Sequence, residues 1–142
     1  MQLKIKLTLL LLLLFLSSPL WATTPEFSFI EKQLLQTKNQ ERLPLLAKLT
    51  EYYFDEAPAK AKEYGEEALL LLEDFPDIKL QLSIGHYLFD AYRNLSELEK
   101  AETLAYKNHK IAEKQGDLHE KAEANVDLSS ILSNKNSDYK GA

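Results

Sequence analysis

Apolar residues recur along the chain at three- and four-residue intervals, as in Leu46, Leu49, Tyr52 and Tyr53. No segment alternates with the two-residue period of a strand. This pattern predicts helices over 25–37, 41–55, 58–73, 77–94, 97–115 and 118–134. The residues between them are helix punctuation. Thr24-Pro25-Glu26 is an N-cap followed by proline at the first helical position, and Pro58 opens another helix. Phe75-Pro76-Asp77 stops one helix and caps the next. Ser96 to Glu99 reads as a capping box, the Ser oxygen taking the third amide and Glu99 reaching back. Gly116 supplies a C-terminal stop, and Asp117 an N-cap with Glu120 three residues on. Every loop is short, so neighbouring helices are expected to pack antiparallel, as an all-α array of hairpins.

The first residues follow another pattern. Lys4 and Lys6 precede an apolar run from Leu7 to Leu16, then Ser17-Ser18-Pro19, and the segment closes on Leu20-Trp21-Ala22. A basic end, a short apolar helix and a helix-breaking exit of small residues make the three-part build of a secretory signal. The run is shorter than the ~20 apolar residues of a membrane span. Residues 1–22 are therefore read as a signal peptide with cleavage after Ala22, and the chain as exported, to the periplasm of a bacterium. An uncleaved anchor is the alternative, and either way the membrane is met only through this segment. Residues 23–40 then form a capping helix ahead of the main array.

The whole chain carries a net charge of −5. Loss of residues 1–22 removes two lysines and no acids, leaving −7. A domain this acidic repels phosphates, which argues against nucleic acid as a partner. With no cysteine there is no disulfide, thiolate metal site or cysteine nucleophile.

A repeat runs through residues 41–142. Pro58 to Leu71 overlays on Leu98 to Lys114, with Ala61 on Ala101, Gly65 on Ala105 and Ala68 opposite Asn108. The closing Ser137 to Ala142 overlays on the same point with Ala142, so the spacings are 40 and 41 residues. In the preceding helices Leu49 and Tyr52 match Phe89 and Tyr92, with Ser130 and Ser133 in the same register. Small residues recur where helices approach closely and large ones where the gap is filled. The units span about 41–76, 77–116 and an incomplete 117–142.

This pattern resembles the tetratricopeptide repeat, with the closest match in Ala122 to Ala142, which looks like a helix A, a tight turn and the Asp138-Tyr139-x-x-Ala142 lead-in to a helix B. The resemblance implies a right-handed α-solenoid of helix hairpins. The period here is longer than the family's, and Leu49, Phe89 and Ser130 replace its small residue in helix A. The long repeats behind a signal peptide, with Glu41 to Phe75 as the carrying segment, also resemble the extracytoplasmic sensor regions of bacterial diguanylate cyclases and histidine kinases.

No catalytic pattern is present. His119-Glu120-Lys121-Ala122-Glu123 begins like a zinc-protease helix, but Glu123 stands where the second His belongs. Four glycines do not build a phosphate loop. Ser129, Ser130 and Ser133 lack His and Asp partners in motif context. Glu66-Glu67 and Glu73-Asp74 read as a solvated face. No catalytic residue, metal site or cofactor is expected, and the chain is read as a non-enzyme. Tyr52, Tyr53, Tyr64, Tyr87, Tyr92 and Tyr106 read as packing.

The resemblance implies binding of a protein or peptide partner along the helix A faces. On helix 77–94, with Ile84, Tyr87, Leu88, Ala91 and Leu95 turned inward, His86, Asp90 and Arg93 form a polar stripe. The register matches them with Leu46, Thr50 and Tyr53 before and with Asp127, Ile131 and Asn134 after. The expected groove residues are Thr50, Tyr53, His86, Asp90, Arg93, Asp127 and Asn134, and the competing reading is a solvated stripe with a His86–Asp90 pair. Two functions stay open: an exported binding module acting as scaffold or sensor, or the N-terminal sensory fragment of a membrane signalling enzyme. At the far end, Ser137 would cap a third helix B, with Tyr139 packing back and Ala142 its first close contact. Leu128, Ile131 and Leu132 would then need a cover, which predicts marginal stability or self-association through this end.

Overall fold

The computed structural model describes residues 25–138, with side chains from 26 to 133. Among these residues six α-helices follow one another: α1 (Pro25–Gln36), α2 (Leu43–Tyr53), α3 (Pro58–Asp74), α4 (Ile78–Asn94), α5 (Leu98–Gln115) and α6 (Leu118–Asp138). A 3₁₀ turn, Asn39–Arg42, links α1 to α2, and there is no strand among the described residues. The fold is all-α, as the apolar period requires. Residues 1–22, Thr24, Tyr139 and Ala142 lie outside the described residues, as does the side chain of Asn134.

Local chemistry sets most of the helix ends. Pro58 occupies the first turn of α3. The Asp77 carboxylate accepts from the Leu80 amide at 3.0 Å, and Asp117 accepts from the His119 amide at 2.9 Å. Gly116, at φ 78°, takes the left-handed conformation that ends α5.

Three boundaries differ from the sequence reading. Ser96 does not cap α5. It stands at φ 60° and closes α4, its amide donating to the Arg93 carbonyl at 2.9 Å while the Glu97 amide reaches Tyr92 at 2.8 Å. Such a paired closure usually falls to glycine, and it takes Ser96 out of the extended backbone an N-cap needs. The helix predicted from 41 starts at Leu43, because residues 39–42 form the 3₁₀ turn that brings Arg42 under α1. There the Arg42 guanidinium donates to the Leu34 carbonyl at 2.8 Å and the Thr37 carbonyl at 3.2 Å, satisfying the open end of α1. It also pairs with Glu67 on α3. Finally, the tight turn expected after 134 is absent, and α6 runs on to Asp138. No glycine or proline interrupts residues 118–138, so nothing local stops that helix.

Each helix packs on the next, and α4 also touches α2 and α6. Sequential neighbours run antiparallel. Arg42 at the start of α2 meets Glu67 late in α3, whereas Tyr53 at its end meets Lys60 early in α3. Small residues make these approaches close. Ala61, Ala68, Ala101, Ala105 and Ala112 are buried, and a Cβ on Gly65 would sit 3.1 Å from Leu88 and 3.2 Å from Thr50. α3 is thereby seated between α2 and α4.

Leu49, Phe89 and Tyr92 lie in the core as expected. Ile131, expected to lack a cover, is buried against Leu88, Phe89 and Leu104, because α6 packs on both α4 and α5. Leu118, Val126 and Leu132 on α6 remain exposed. Tyr106, expected in the packing, is exposed as well.

Candidate functional site

The residues expected to line a groove divide into a buried seam and an exposed edge. Thr50 is fully buried, its hydroxyl donating to the Leu46 carbonyl at 2.8 Å. Tyr53 is buried too and donates to Glu31 at 3.0 Å. Asp127 is only 2% exposed. These three pack between helices instead of facing an open groove. The physical reason is that each is covered by a neighbouring helix: Thr50 by Gly65 of α3, Tyr53 by Tyr64 of α3 and Glu31 of α1, and Asp127 by His86 of α4. Asp90 and Arg93 sit at the partly exposed edge of α4 and approach one another to 3.6 Å.

His86 is bonded to Asp127 and not to Asp90: its Nδ1 lies 3.1 Å from both carboxylate oxygens. That hydrogen bond raises the imidazole above its ordinary range; burial opposes the shift, and the charges of Asp127, Asp90 and Glu123 reinforce it. Burial raises the Asp90 carboxyl, with His86 opposing and Asp127 adding to the rise. Glu120 is raised by burial and by its acidic neighbours Glu123 and Asp117. Beside the pair a cavity of about 10 Å³ is bounded by Leu82, Asn108, Glu123 and Ala124, about the room of one water molecule. Asn108 from α5 is 3% exposed, and its Nδ2 finds no acceptor among the described residues. Among the described residues no group of His, Asp or Glu is arranged to hold a metal ion. His119 is exposed and reaches Glu123 at 3.5 Å.

A second constellation includes Tyr52 and Tyr87, which the sequence reads as packing. Glu26, Phe27 and Ile30 of α1, Lys48, Glu51 and Tyr52 of α2, Phe54 just beyond it and Tyr87 of α4 line an open cleft of about 660 Å³. Phe27 and Tyr52 stack with ring centroids 3.4 Å apart and planes 12° apart. Phe54 and Tyr87 meet at 5.3 Å. The Tyr87 hydroxyl donates to Glu51 at 3.1 Å; burial first, and then this bond, push that hydroxyl up, so it stays a donor. The Asn94 amide donates to the Phe54 carbonyl at 3.0 Å, pinning the end of α2 to α4. The signal in the sequence was the interleaving of Phe27, Tyr52 and Phe54 with Glu26, Lys48 and Glu51. Aromatic residues buried all round are not usually threaded with charges.

Besides its buried Ile30 and Leu34, one carboxylate ties α1 to this frame. Glu31 accepts from Tyr53 at 3.0 Å, Lys60 at 3.0 Å and Tyr64 at 2.9 Å. Burial alone would raise the Glu31 carboxyl, but the three donors together bring it below its ordinary value. Burial and the same carboxylate push the Tyr64 hydroxyl up to about 12. The side of the cleft contributed by α1 is thereby fixed. No helix among the described residues is long and apolar enough to cross a membrane. Compared with protein-family models, curated proteins and solved structures, the chain matches none.

Proposed function

We propose that the chain is a non-catalytic module that binds a protein or peptide segment, built as a right-handed α-solenoid of the tetratricopeptide-like kind and working as a scaffold or sensor. The observation that carries this reading is the cleft across α1, α2 and α4. Its volume of about 660 Å³ accommodates a few side chains of a bound segment. Its walls combine aromatic faces with a few fixed polar groups, the composition that recognition surfaces favour. The buried small residues 40 apart, Ala61 with Ala101 and Gly65 with Ala105, support the repeat reading. The basic and apolar pattern of residues 1–22 supports export, to the periplasm in a bacterial host.

The test is a selection of displayed random peptides on the full chain, followed by titration of the selected peptide. Binding is expected to weaken at least about tenfold in Phe54→Ala and Tyr87→Ala, the range of a central aromatic anchor. It should stay unchanged in Tyr106→Ala, an exposed tyrosine on α5 outside the cleft. Equal binding by all three variants would place recognition elsewhere and defeat the proposal.

A further inference from the structure

The chemistry of the cleft selects among peptides, and we infer that its partner is a segment bearing lysine or arginine, whose cation enters between Glu26 and Glu51 over the Phe54 and Tyr87 rings. This inference rests on the peptide-binding reading of the same cleft and names the class of segment.

Charge is the first support. Two carboxylates, Glu26 and Glu51, face one ammonium, Lys48, across the lining. Lys48 makes no ion pair with either among the described residues. The whole chain is acidic, at −5, so the far field also draws a basic segment and repels an acidic one. Glu51 is not free to swing away, because the Tyr87 hydroxyl holds it at 3.1 Å. An incoming cation thus meets a carboxylate that is already placed, and little ordering remains to oppose binding.

The aromatic rings are the second support. Elsewhere the chain covers its own ring faces with its own cations. Lys60 lies 4.5 Å over Tyr53, Arg93 5.6 Å over Phe89 and Lys100 5.3 Å over Tyr92. Among the described residues no lysine or arginine lies over Phe54 or Tyr87, and the His86 ring meets Tyr87 edge-on with centroids 5.3 Å apart. Phe54 and Tyr87 meet at 42° in a tilted pair, and both line the cleft together with Glu51. A guanidinium or ammonium placed there gains the ring quadrupole and the carboxylate together.

The experiment uses the full chain and three labelled peptides of one length on a Gly-Ser frame, carrying three lysines, three glutamates or three leucines. Binding is read by fluorescence anisotropy at low and at moderate salt. The lysine peptide is expected to bind best, and to weaken with salt because the cleft opens to solvent. Glu26→Gln with Glu51→Gln should weaken it about tenfold, and Glu26→Lys with Glu51→Lys more. Both glutamates are exposed or at a cleft wall, so the pairs should melt like the parent, which circular dichroism checks. Equal or tighter binding of the glutamate or leucine peptide overturns the basic-segment inference. So does lysine-peptide binding that survives both charge variants. If Tyr87→Ala still abolishes binding in those cases, the peptide site itself stands. If none of the three peptides binds, the inference falls together with the reading of the cleft as a peptide site.

Discussion

His86 and Asp127 are 41 residues apart in the chain, and the imidazole Nδ1 lies 3.1 Å from each oxygen of the carboxylate. They lie on α4 and α6, and the packing of these two helices brings them face to face. Asp127 is buried while His86 keeps some contact with solvent. His86→Ala therefore leaves a buried carboxylate without its partner, which costs about 2 kcal/mol. Asp127→Ala should cost a similar amount, and the double variant less than the sum. Urea midpoints of the full chain and the three variants measure the coupling.

The same pair makes stability depend on pH. The folded His86 titrates above its ordinary value of 6.5. Its contribution is present in full below that unfolded value and is lost as pH rises through the folded one. Asp90 and Glu120, also raised, favour the folded state in the same direction at lower pH. The groups facing His86 are Asp90 on its own helix, Asp127 and Glu123 on α6, and the neutral Asn108 on α5. The urea midpoint is expected to fall between pH 6 and pH 8, and this slope should be flattened in His86→Ala.

Glu31 contributes with the opposite sign. Its folded carboxyl is lowered from 4.5, so its support of α1 is present above that value and lost as pH falls through the folded one. Glu31→Ala removes the acceptor shared by Tyr53, Lys60 and Tyr64. It should cost about 1–2 kcal/mol and loosen α1 before the rest. Amide exchange is expected to quicken in residues 25–36, and much less in α4 and α5.

Gly85 and Asn108 form a contact that admits no extra carbon. A Cβ at 85 would fall 2.3 Å from Asn108 Nδ2. Gly85→Ala should therefore destabilise the chain by about 2 kcal/mol through overpacking. With Asn108→Ala, which puts there a small residue like Ala68, 40 residues earlier, the same change should cost much less. Thermal unfolding of the two single variants and the pair settles this, and equal cost in both backgrounds would refute the contact.

The helices were legible in the sequence because their causes are local. A 3.6-residue apolar period, Pro58 at a first turn, Asp77 and Asp117 beside amides three residues or fewer away, and Gly116 at positive φ all act within one or two turns. The 40-residue recurrence of Ala61 and Ala101 was also legible, since close helix packing demands small residues wherever it occurs. Ser96 shows where local reading failed: two adjacent helices competed for it, and the closure of α4 won over the start of α5. Only the tertiary structure decided that His86 meets Asp127 instead of Asp90, that Thr50 and Tyr53 are buried, and that Phe27, Tyr52, Phe54 and Tyr87 share a cleft. Those outcomes depend on how far each helix is rotated about its axis and how closely the next one approaches. That rotation is set by many weak contacts at once, such as Gly65 against Leu88 and Thr50, and no single stretch of chain contains them.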